Sequence, residues 1–366
     1  MSFIALDARK YFDFGIGTYI RHLIAEYESM QSSREFLLYL GPREAKTVVV
    51  PSGWKTCVVP YGKYSLSEMF LLGRKVSSSN ISVYHSPHYT LPFGLTSRSV
   101  VTVHDLIHLR FPQFFSPLHR AYSYIMIRHA IQDSEFVITD SEFTKLDILR
   151  SFRIKEEKII PIHLGVSKRF KLVADASEVA EFRSRFALRR QFVLFVGNTK
   201  PHKGLEVLLR AFKSIIRAFP DVELVFVGGL LSHDKRLESI ASESEFTGKI
   251  RVLGSLSDED LVRAYNAAEM LIMPSLYEGF GLPALEAMAC GTPVIVSKAG
   301  SLPEIVGNAA IICETGNHGS LAEAIASLLR DPQLKSGLIE LGKKRVAKFS
   351  WHLTAEKTME VYDKIG

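Results

Sequence analysis

The stretch from Ser275 to Pro293, SLYEGFGLPALEAMACGTP, carries two carboxylates, Glu278 and Glu286, on either side of a turn rich in glycine and proline. Seven residues separate the two glutamates, and a short apolar run, MLIMP, precedes the stretch while another, PVIVS, begins at its end. We read the pattern as strand, turn, short helix and strand, which is a repeating unit of α/β proteins. The backbone N–H groups at such a helix start form a natural binding site for phosphate.

The alternation of short apolar strands and amphipathic helices continues along the rest of the chain. In the first half, strands are predicted at 3–9, 35–41, 47–51, 81–87, 99–106 and 135–141, and helices at 18–28 and 65–76. In the second half, strands are predicted at 191–197, 222–229, 249–254, 270–274, 293–297 and 309–313, and helices at 204–219, 319–330, 333–348 and 351–365. This alternation is typical of parallel sheets covered by helices on both faces, which bind ligands at the carboxyl ends of their strands.

The length of the chain and its least patterned segment predict the domain organisation. With 366 residues, the chain is too long for one ordinary compact core, so two α/β domains are expected. Residues 170–190 lack a strand pattern and separate the two alternating halves. We therefore expect an N-terminal domain over 1–187 and a C-terminal domain over 188–350.

The composition, with 47% apolar and 23% charged residues, is typical of a soluble globular protein. Cys57, Cys290 and Cys313 are far apart and form no C-x-x-C pair, which argues against disulfides or a zinc site and favours a reducing compartment. The N-terminus has no signal-peptide pattern, and no run approaches the roughly 18 apolar residues of a membrane span. These features predict a cytoplasmic protein.

The formal net charge of +6 lies entirely in the first half of the chain. Residues 1–187 hold 24 lysines and arginines against 18 acidic residues, whereas residues 188–366 hold 21 of each. A basic half suits an anionic surface, either a membrane or a phosphate-bearing acceptor, but it is as typical of a basic surface without a partner. The basic residues are scattered, so no nucleic-acid-binding module is predicted.

Candidate functional residues of the first half stand where predicted strands end. Gly15 and Gly17 suggest a dinucleotide fingerprint, but Ile20 replaces the third glycine of that motif, so an oxidoreductase is only weakly indicated. What remains is a tight turn that brings a helix start close to a ligand, or a turn without function. Other strand-end residues are His85, His104, Asp105 and Ser141. His85 and Asp105, together with Arg120 on a predicted helix, are candidates for binding an acceptor molecule.

Two charged residues of the second half, Lys203 and Glu286, lie where a charge is normally unfavourable. In GNTKPHKG (197–204), Lys203 falls at a predicted helix start, where an ammonium group is unfavourable unless it binds an anion. Glu286 lies in the apolar helix segment LEAMA, where an unpaired carboxylate is costly, so it needs a partner such as ribose hydroxyls. The acidic run SDED is explained by a helix start capped by Ser257, and no metal site is predicted there.

These segments together resemble the retaining glycosyltransferases of family 4, which have the GT-B fold. The resemblance covers nearly the whole chain, and its first half is most similar to bacterial mannosyltransferases of O-antigen and polysaccharide synthesis. It rests on GIGTY (15–19), VHDL (103–106), VITDSEFTK (137–145), VGNTKPHKG (196–204), EGFGLPALE (278–286) and ACGTPVIVS (289–297). It implies two facing Rossmann-like domains with parallel sheets, an active site in the cleft, and a C-terminal helix (351–366) that crosses back to the first domain.

The resemblance also implies roles for individual residues. Glu286 would hold the ribose hydroxyls of a nucleotide-sugar, Glu278 the donor sugar, and Lys203 the diphosphate together with the amides of the helix start. The implied catalytic residues are Lys203, Glu278 and His104, and the implied donor-binding residues are Gly17, Gly197, Lys203, Glu278, Gly279, Phe280, Gly281, Leu282 and Glu286. Many members of the family carry arginine at the position of Asn198, which cannot supply that second cation.

The implied activity is metal-independent transfer of a hexose, with retention, from a nucleoside-diphosphate sugar to a glycan or lipid-linked glycan in cell-surface polysaccharide synthesis. GDP-mannose is favoured as the donor over UDP-glucose and dTDP-rhamnose, no cofactor is expected, and peripheral contact with an anionic membrane at the inner face of the plasma membrane is expected. Two alternatives stay open, an NAD-type two-domain oxidoreductase and a nucleotide- or sugar-binding protein without catalysis. The presence of Lys203, Glu278 and Glu286 argues against the second alternative.

Overall fold

The computed structural model describes residues 2–30, 34–188, 191–229, 239–240 and 243–365. The chain divides into two compact units, one formed by Met1–Gly165 with Ser350–Gly366 and the other by Val166–Phe349. Within the described ranges, no helix has both the length and the apolar character that crossing a bilayer requires. Each unit is built on its own parallel sheet.

The first unit is built on one sheet, in which further strands lie on both sides of a central pair. The described strands are β1 (Phe3–Asp7), β2 (Phe36–Leu40), β3 (Lys55–Val58), β4 (Ile81–Ser86), β5 (Arg98–Val103), β6 (Phe136–Thr139) and β7 (Ile159–Pro161). The described helices are α1 (Phe14–Ser29), α2 (Glu44–Thr47), α3 (Leu66–Ser77), α4 (Ile107–Arg110), α5 (Pro117–Asp133), α6 (Glu142–Ser151) and a C-terminal helix (Trp351–Asp363). Neighbouring strands are parallel in the order β3-β2-β1-β4-β5-β6-β7, so the direction of winding reverses between β1 and β4.

Consecutive residues of β1 explain why helices cover both faces of this sheet. Ala5 packs in a core with Leu72 of α3 and Ile127 of α5. The next residue, Leu6, packs in a separate core with Ile20 of α1. Because side chains of a strand point alternately to opposite faces, a strand that is apolar at every position needs a layer of helices on each side.

The C-terminal helix packs within the first unit. It lies against α1, where the Trp351 ring stacks on His22 with ring centroids 4.5 Å apart. The hydroxyl of Thr354 donates a hydrogen bond of 2.8 Å to the carbonyl oxygen of His163. A buried tyrosine of the same helix, Tyr362, bonds to His85 at the end of β4. The last helix of the chain is therefore part of the core of the unit that contains the first residues.

The second unit repeats the same architecture. The described strands are β8 (Gln191–Val196), β9 (Val222–Val227), β10 (Ile250–Val252), β11 (Met270–Met273), β12 (Val294–Ser297) and β13 (Ile311–Cys313). The described helices are α7 (Ala176–Arg185), α8 (Leu205–Ala218), α9 (Asp258–Ala267), α10 (Leu282–Ala289), α11 (Leu302–Val306), α12 (His318–Arg330) and α13 (Pro332–Val346). The parallel order β10-β9-β8-β11-β12-β13 reverses between β8 and β11. The predicted α/β class with two parallel sheets is confirmed.

The segment that the sequence suggested as a linker belongs to the second unit. Its helix α7 packs against α9, and Arg263 of α9 donates a hydrogen bond of 3.0 Å to Glu178 of α7. The division of the chain therefore falls at 165–166 instead of at residue 187.

One predicted strand of the first half is wrong. The run TVVVP (47–51) is not a strand, because Thr47 ends the helix α2 and the Val49 side chain is 89% exposed. β-Branched residues favour a strand only where neighbouring side chains pack against them. The strand forms instead at β3, an edge strand whose largely exposed side chains gave no apolar pattern.

The predicted turn at Gly15 and Gly17 is also wrong. Helix α1 begins at Phe14, so both glycines lie in its first turn. A Cβ atom at Gly17 would overlap the carbonyl oxygen of Tyr11, whereas a Cβ atom at Gly15 would meet nothing within 4 Å. The glycine at position 17 is therefore needed for the close approach of the chain that leads into the helix.

Candidate active site

Two loops meet where the strand order of the second sheet reverses. The loop 197–204 follows β8 and the loop 274–281 follows β11. The N–H group of Leu276 donates a hydrogen bond of 2.7 Å to the carbonyl oxygen of His202, which fastens one loop to the other. Open parallel sheets bind ligands outside the carboxyl ends of their strands at such a reversal.

Lys203 and Glu278, which are far apart in sequence, form an ion pair between these loops. The Lys203 Nζ atom lies 2.8 Å from Oε1 and 3.0 Å from Oε2 of Glu278, and Ser275 Oγ donates to Oε1 over 2.6 Å. Burial acts to raise the pKa of Glu278, but Lys203 and Ser275 outweigh it and hold that pKa below its usual 4.5. The site therefore presents an ionised carboxylate beside an ammonium group.

The loop that carries Glu278 is braced by the turn that leads into α11. The N–H group of Ser301 donates to the carbonyl oxygen of Glu278 over 3.0 Å, and its hydroxyl donates to the carbonyl oxygen of Phe280 over 2.9 Å. Gly300 has φ +60°, and a Cβ atom on it would lie 2.6 Å from the backbone nitrogen of Glu278. Sequence reasoning missed both residues, although a glycine and a serine before Pro303 are a turn signal.

The predicted donor-binding residues of this loop lie at the start of α10. Gly281 precedes the helix with φ +106°, and a Cβ atom there would lie 2.6 Å from Leu302 Cδ2. Leu282 is the first helical residue, and the first N–H groups of a helix have no partner inside it. Gly279 is buried in the same loop, and the buried Phe280 ring packs on Phe349. The N-terminus of α10, which is the positive end of its helix dipole, therefore lies at the loop 274–281.

Gly197 occupies a different position from the one predicted for a donor contact. Its N–H group donates a hydrogen bond of 3.0 Å to the carbonyl oxygen of Val227, which extends the ladder between β8 and β9. This amide is already used inside the sheet. Any contribution of Gly197 to a ligand must come from the absence of a side chain.

Glu286 has a partner that the sequence did not reveal. Its Oε2 atom accepts a hydrogen bond of 2.8 Å from the hydroxyl of Tyr265 on α9. Burial raises the pKa of Glu286 to about 7, and the hydrogen bond from Tyr265 opposes that rise. The carboxyl group is therefore partly protonated near neutral pH. Hydroxyl groups of a bound ribose would donate to it and favour its ionised form.

We expect the Glu286→Gln variant to gain stability relative to the unaltered protein as pH rises from 4.5 to about 7. Over that window the unfolded chain has released the Glu286 proton while the folded chain still holds it, so the unaltered protein loses stability. The shift from 4.5 to about 7 corresponds to about 3 kcal/mol in the free energy of unfolding. Urea unfolding followed by circular dichroism at pH 4.5 and pH 8, without nucleotide, measures the difference.

Glu278→Gln is the matched control for this measurement, because its pKa is shifted in the opposite direction. The stabilising ionised form of Glu278 is present above pH 4.5 and is lost as pH falls through its lowered pKa. Between pH 4.5 and pH 8 the stability difference between Glu278→Gln and the unaltered protein should therefore stay nearly constant, because the window in which Glu278 titrates lies below pH 4.5. The same pH dependence in both variants would show that the raised pKa does not belong to Glu286.

In the first unit, His104 is held between two hydrogen-bond acceptors. Its Nδ1 atom lies 2.7 Å from the carboxylate of Asp140, which follows β6, and its Nε2 atom lies 3.0 Å from the carbonyl oxygen of Pro87. Burial acts to lower the pKa of His104, but Asp140 outweighs it and the pKa lies above its usual 6.5. Only an imidazolium ion donates from both ring nitrogens. Acceptors at both ring nitrogens and the raised pKa favour the protonated form of His104, which has no lone pair for a further proton.

His85 is completely buried and fully hydrogen-bonded inside the first unit. Its Nδ1 atom lies 2.5 Å from the hydroxyl of Tyr362, and its Nε2 atom lies 2.8 Å from the hydroxyl of Thr102. Burial lowers the pKa of His85 to about 3, so the ring is neutral. This position is not compatible with the predicted direct contact between His85 and an acceptor. Its observed role is to hold the C-terminal helix.

The other predicted residues of the first unit, Gly17, Asp105 and Arg120, have separate environments away from His85. Gly17 is buried in α1, where its N–H group donates to the carbonyl oxygen of Asp13. Asp105 accepts a hydrogen bond of 3.0 Å from the N–H group of Ile107, in the turn before α4. Arg120 is exposed on α5. Among the predicted residues, Lys203 and Glu278 of the second unit are bonded to each other.

The acidic run at the start of α9 has the structure that its sequence predicted. Ser257 caps the helix by accepting a hydrogen bond of 3.2 Å from the N–H group of Asp260, which confirms the predicted cap. Arg263 and Arg185 pair with the Asp260 carboxylate. Among the residues that the structure describes, no group of three or more histidine, cysteine or acidic side chains is arranged to hold a metal ion.

Two family models match the chain, Glycosyltransferase Family 4 over residues 15–170 and Glycosyl transferases group 1 over residues 177–345. The chain is 29% identical over 282 residues to O-antigen chain mannosyltransferase B of Escherichia coli, which covers 76% of this chain and 74% of that protein. It is 33% identical over 233 residues to the MMP alpha-(1->4)-mannosyltransferase of Mycolicibacterium hassiacum, but that match covers 62% of this chain and only 54% of the relative.

The fold is also that of solved glycosyltransferase structures. Superposition on Anabaena Alr3699/HepE, solved in complex with UDP and glucose, gives a TM-score of 0.81 at 19% identity and covers all of both chains. The two matching family models and the strand order of the two parallel sheets lead to the same assignment. The chain belongs to glycosyltransferase family 4 and has the GT-B fold.

Proposed function

We propose that this glycosyltransferase moves a hexose from a nucleoside-diphosphate sugar to a glycan acceptor with retention of configuration. The observation that carries the proposal is the paired Lys203 and Glu278 at the start of α10, with Glu286 further along the same helix. In this proposal Lys203 and the helix-start N–H groups stabilise the negative charge that develops on the diphosphate leaving group. Glu278 binds hydroxyls of the donor sugar, and Glu286, oriented by Tyr265, binds those of the ribose.

The acceptor hydroxyl must lose a proton during transfer. His104 is unsuited to accept it, because both its ring nitrogens already lie within hydrogen-bond distance of protein oxygen atoms, Asp140 Oδ2 and the carbonyl oxygen of Pro87. We therefore assign the proton to an oxygen of the leaving diphosphate, on the face where the acceptor attacks. In this mechanism His104 contributes positive charge and orientation, and Asp140 keeps it protonated.

GDP-mannose is the donor that we propose. Support comes from the similarity to two mannosyltransferases, one of O-antigen chains and one acting on MMP. UDP-glucose and dTDP-rhamnose are the next candidates. The acceptor that we propose is a glycan or lipid-linked glycan of a cell-surface polysaccharide, and the reaction needs no divalent metal because Lys203 and the helix start supply the positive charge at the phosphates.

A donor screen tests the proposed function. The protein is incubated separately with GDP-mannose, UDP-glucose, dTDP-rhamnose and NADH, and thermal stabilisation and release of nucleoside diphosphate are measured. We expect the largest effects with GDP-mannose, unchanged in EDTA, and the α-anomer of the released mannose in the first proton NMR spectra, before the free sugar mutarotates. Stabilisation by NADH alone would favour the oxidoreductase alternative, and activity that is lost in EDTA and restored by Mg²⁺ would exclude the metal-independent mechanism.

We also propose that the first unit docks on an anionic membrane through one face of α3 and α5. Exposed apolar side chains on these helices are Leu66, Phe70 and Leu71 on α3 and Leu118, Tyr124 and Ile125 on α5. The two helices are linked by Phe93, whose ring stacks on Phe70 at 5.4 Å and on His129 at 3.9 Å. Exposed basic residues on the same helices are Arg74, Lys75, Arg120 and Arg128. Apolar side chains with basic neighbours are typical of a surface that inserts among anionic headgroups.

We expect the double variant Leu66→Ser/Phe70→Ser to bind anionic vesicles at least about tenfold more weakly, since each buried apolar side chain contributes about 1.5–3 kcal/mol. Co-sedimentation with vesicles of phosphatidylglycerol and phosphatidylcholine, against phosphatidylcholine alone, measures binding. Val49→Ser is the control, because Val49 is a highly exposed apolar residue of the same unit outside these helices. Equal binding by the unaltered protein to both vesicle types, or equal loss in the control, would exclude docking by this face.

A further inference from the structure

Two charged or polar side chains are buried where the strand order of the first sheet reverses. Lys10 follows β1 and His88 follows β4, and these are the strands between which the winding changes direction. Lys10 is 4% exposed and His88 is 8% exposed. The carboxyl ends of strands at a reversal are the preferred ligand-binding position of an open α/β sheet.

Three polar atoms near this point lack hydrogen-bond partners within the described residues. They are Lys10 Nζ, His88 Nδ1 and the hydroxyl oxygen of Tyr122 on α5. A buried donor or acceptor without a partner costs about 1–3 kcal/mol, and most such groups in folded proteins are satisfied. Three of them in one neighbourhood indicate a binding site for a ligand that satisfies them.

Tyr64 is the residue that these three groups share. Its ring lies 4.0 Å from Lys10 Nζ, and its centroid lies 6.0 Å from that of His88 and 6.4 Å from that of Tyr122. Tyr64 is 46% exposed and has φ +61°, an uncommon conformation for a residue with a bulky side chain. Such strained backbone is found most often at functional sites. Tyr64 therefore covers the three unsatisfied groups with an aromatic ring that a ligand could face.

The charges around Lys10 decide the class of ligand. Its neighbours Asp7 and Glu68 are both bound by Arg9, with Arg9 Nε 2.8 Å from Asp7 and Arg9 Nη2 2.8 Å from Glu68. The two cations, Arg9 and Lys10, thus balance the two carboxylates. Another charged pair close by, Lys63 with Asp13 at 2.6 Å, is also neutral in sum.

Because this cluster has no excess positive charge, it favours an uncharged ligand over a phosphate. It suits hydroxyl groups, which both donate and accept. Burial and the nearby Lys10 lower the pKa of His88 well below its usual range, so the neutral ring offers one donor and one acceptor nitrogen. Lys10 offers only donors, and the Tyr122 hydroxyl offers either role. The apolar face of a pyranose ring packs well against an aromatic side chain such as Tyr64.

We propose that Lys10, His88 and Tyr122 form a subsite for a neutral sugar residue, with Tyr64 as its cover. The assignment of this sugar to the acceptor rests on the proposed glycosyltransfer. The binding itself depends only on the four side chains. Nothing in the roles given to Lys203, Glu278, Glu286 or His104 uses this subsite.

Binding is measured by ligand-observed NMR with the methyl α-glycosides of mannose, glucose and galactose, and with methyl phosphate as the anionic probe. We expect at least one methyl glycoside to bind in preference to methyl phosphate. Lys10→Met should weaken that binding at least about tenfold, since it removes a charge-assisted hydrogen bond, which is stronger than a neutral one. Lys63→Met is the matched control, a lysine of the same neighbourhood that is already paired, and it should leave the affinity unchanged.

Tyr122→Phe separates binding from a structural role. It removes only a hydroxyl that is unsatisfied within the described ranges, so we expect weaker glycoside binding together with an unchanged or increased free energy of unfolding. Lys203→Met should retain glycoside binding, which distinguishes this subsite from the donor site even if the donor screen fails. The proposal is overturned if methyl phosphate binds more tightly than every glycoside, or if neither Lys10→Met nor Tyr122→Phe weakens glycoside binding.

Discussion

Replacing Lys203 with methionine is expected to lower kcat by about 100- to 1,000-fold, the usual effect of removing one group that stabilises charge in a transition state. Methionine keeps most of the volume of the lysine side chain and removes the ammonium group that lies 2.8 Å from Glu278. The diphosphate leaving group would then be stabilised only by the helix-start N–H groups. Initial rates with saturating donor and acceptor measure the change.

This substitution also has a cost in stability, which the sequence did not indicate. Without Lys203, the mostly buried Glu278 carboxylate loses its ion pair but keeps its hydrogen bond from Ser275, and burial then acts to raise its pKa. The double variant Lys203→Met/Glu278→Gln should therefore recover stability but not kcat. Lys200→Met, an exposed lysine three residues earlier, is the control and should change neither. An unchanged kcat in Lys203→Met would exclude the phosphate role.

Replacing Gly300 with alanine is expected to reduce kcat/KM by at least about 100-fold and to destabilise the protein by about 2–4 kcal/mol. The new Cβ atom would overlap the carbonyl oxygen of Glu278 and lie 2.6 Å from its nitrogen, and backbone atoms cannot move aside as a flexible side chain can. The loop would have to shift, and Glu278 with it. Steady-state kinetics and urea unfolding measure the two effects.

Gly316→Ala separates backbone strain from displacement of the loop. Gly316 also has a positive φ, +74°, but the nearest atom to its added Cβ is Leu276 Cδ2 at 4.0 Å. We expect a loss of only about 1 kcal/mol, from the strained conformation alone, and nearly unchanged kinetics. If both variants lose the same activity, the close packing of Gly300 on Glu278 does not determine catalysis.

The fold could be predicted from the sequence wherever a strand was buried on both faces. β1, β2, β8, β11 and β12 all contain continuous apolar runs, because each needs apolar side chains on both sides of the sheet. The edge strand β3 gave no such signal, since its side chains are largely exposed. The valines at 48–50, of which Val49 is exposed and Val48 and Val50 are half-buried, gave a false one, because β-branched residues alone do not make a strand.

The domain boundary and the role of His85 were misjudged for a related reason. Both depend on contacts with a distant part of the chain, α7 with α9 in one case and His85 with Tyr362 in the other. A strand-end histidine looks the same in a sequence whether it faces a ligand or the interior. Only the packing of the C-terminal helix shows that His85 faces the interior.

The sequence by itself determined the fold class and singled out Lys203, Glu278 and Glu286 as candidate site residues. Each stands in a local pattern, a strand followed by a turn and a helix, whose physical requirements act over a few neighbouring residues. The tertiary structure decided their partners, because a parallel sheet brings together loops that are far apart in sequence. Lys203 meets Glu278 across 75 residues, and His104 meets Asp140 across 36. These contacts set which groups are charged, and with them the chemistry that the site performs.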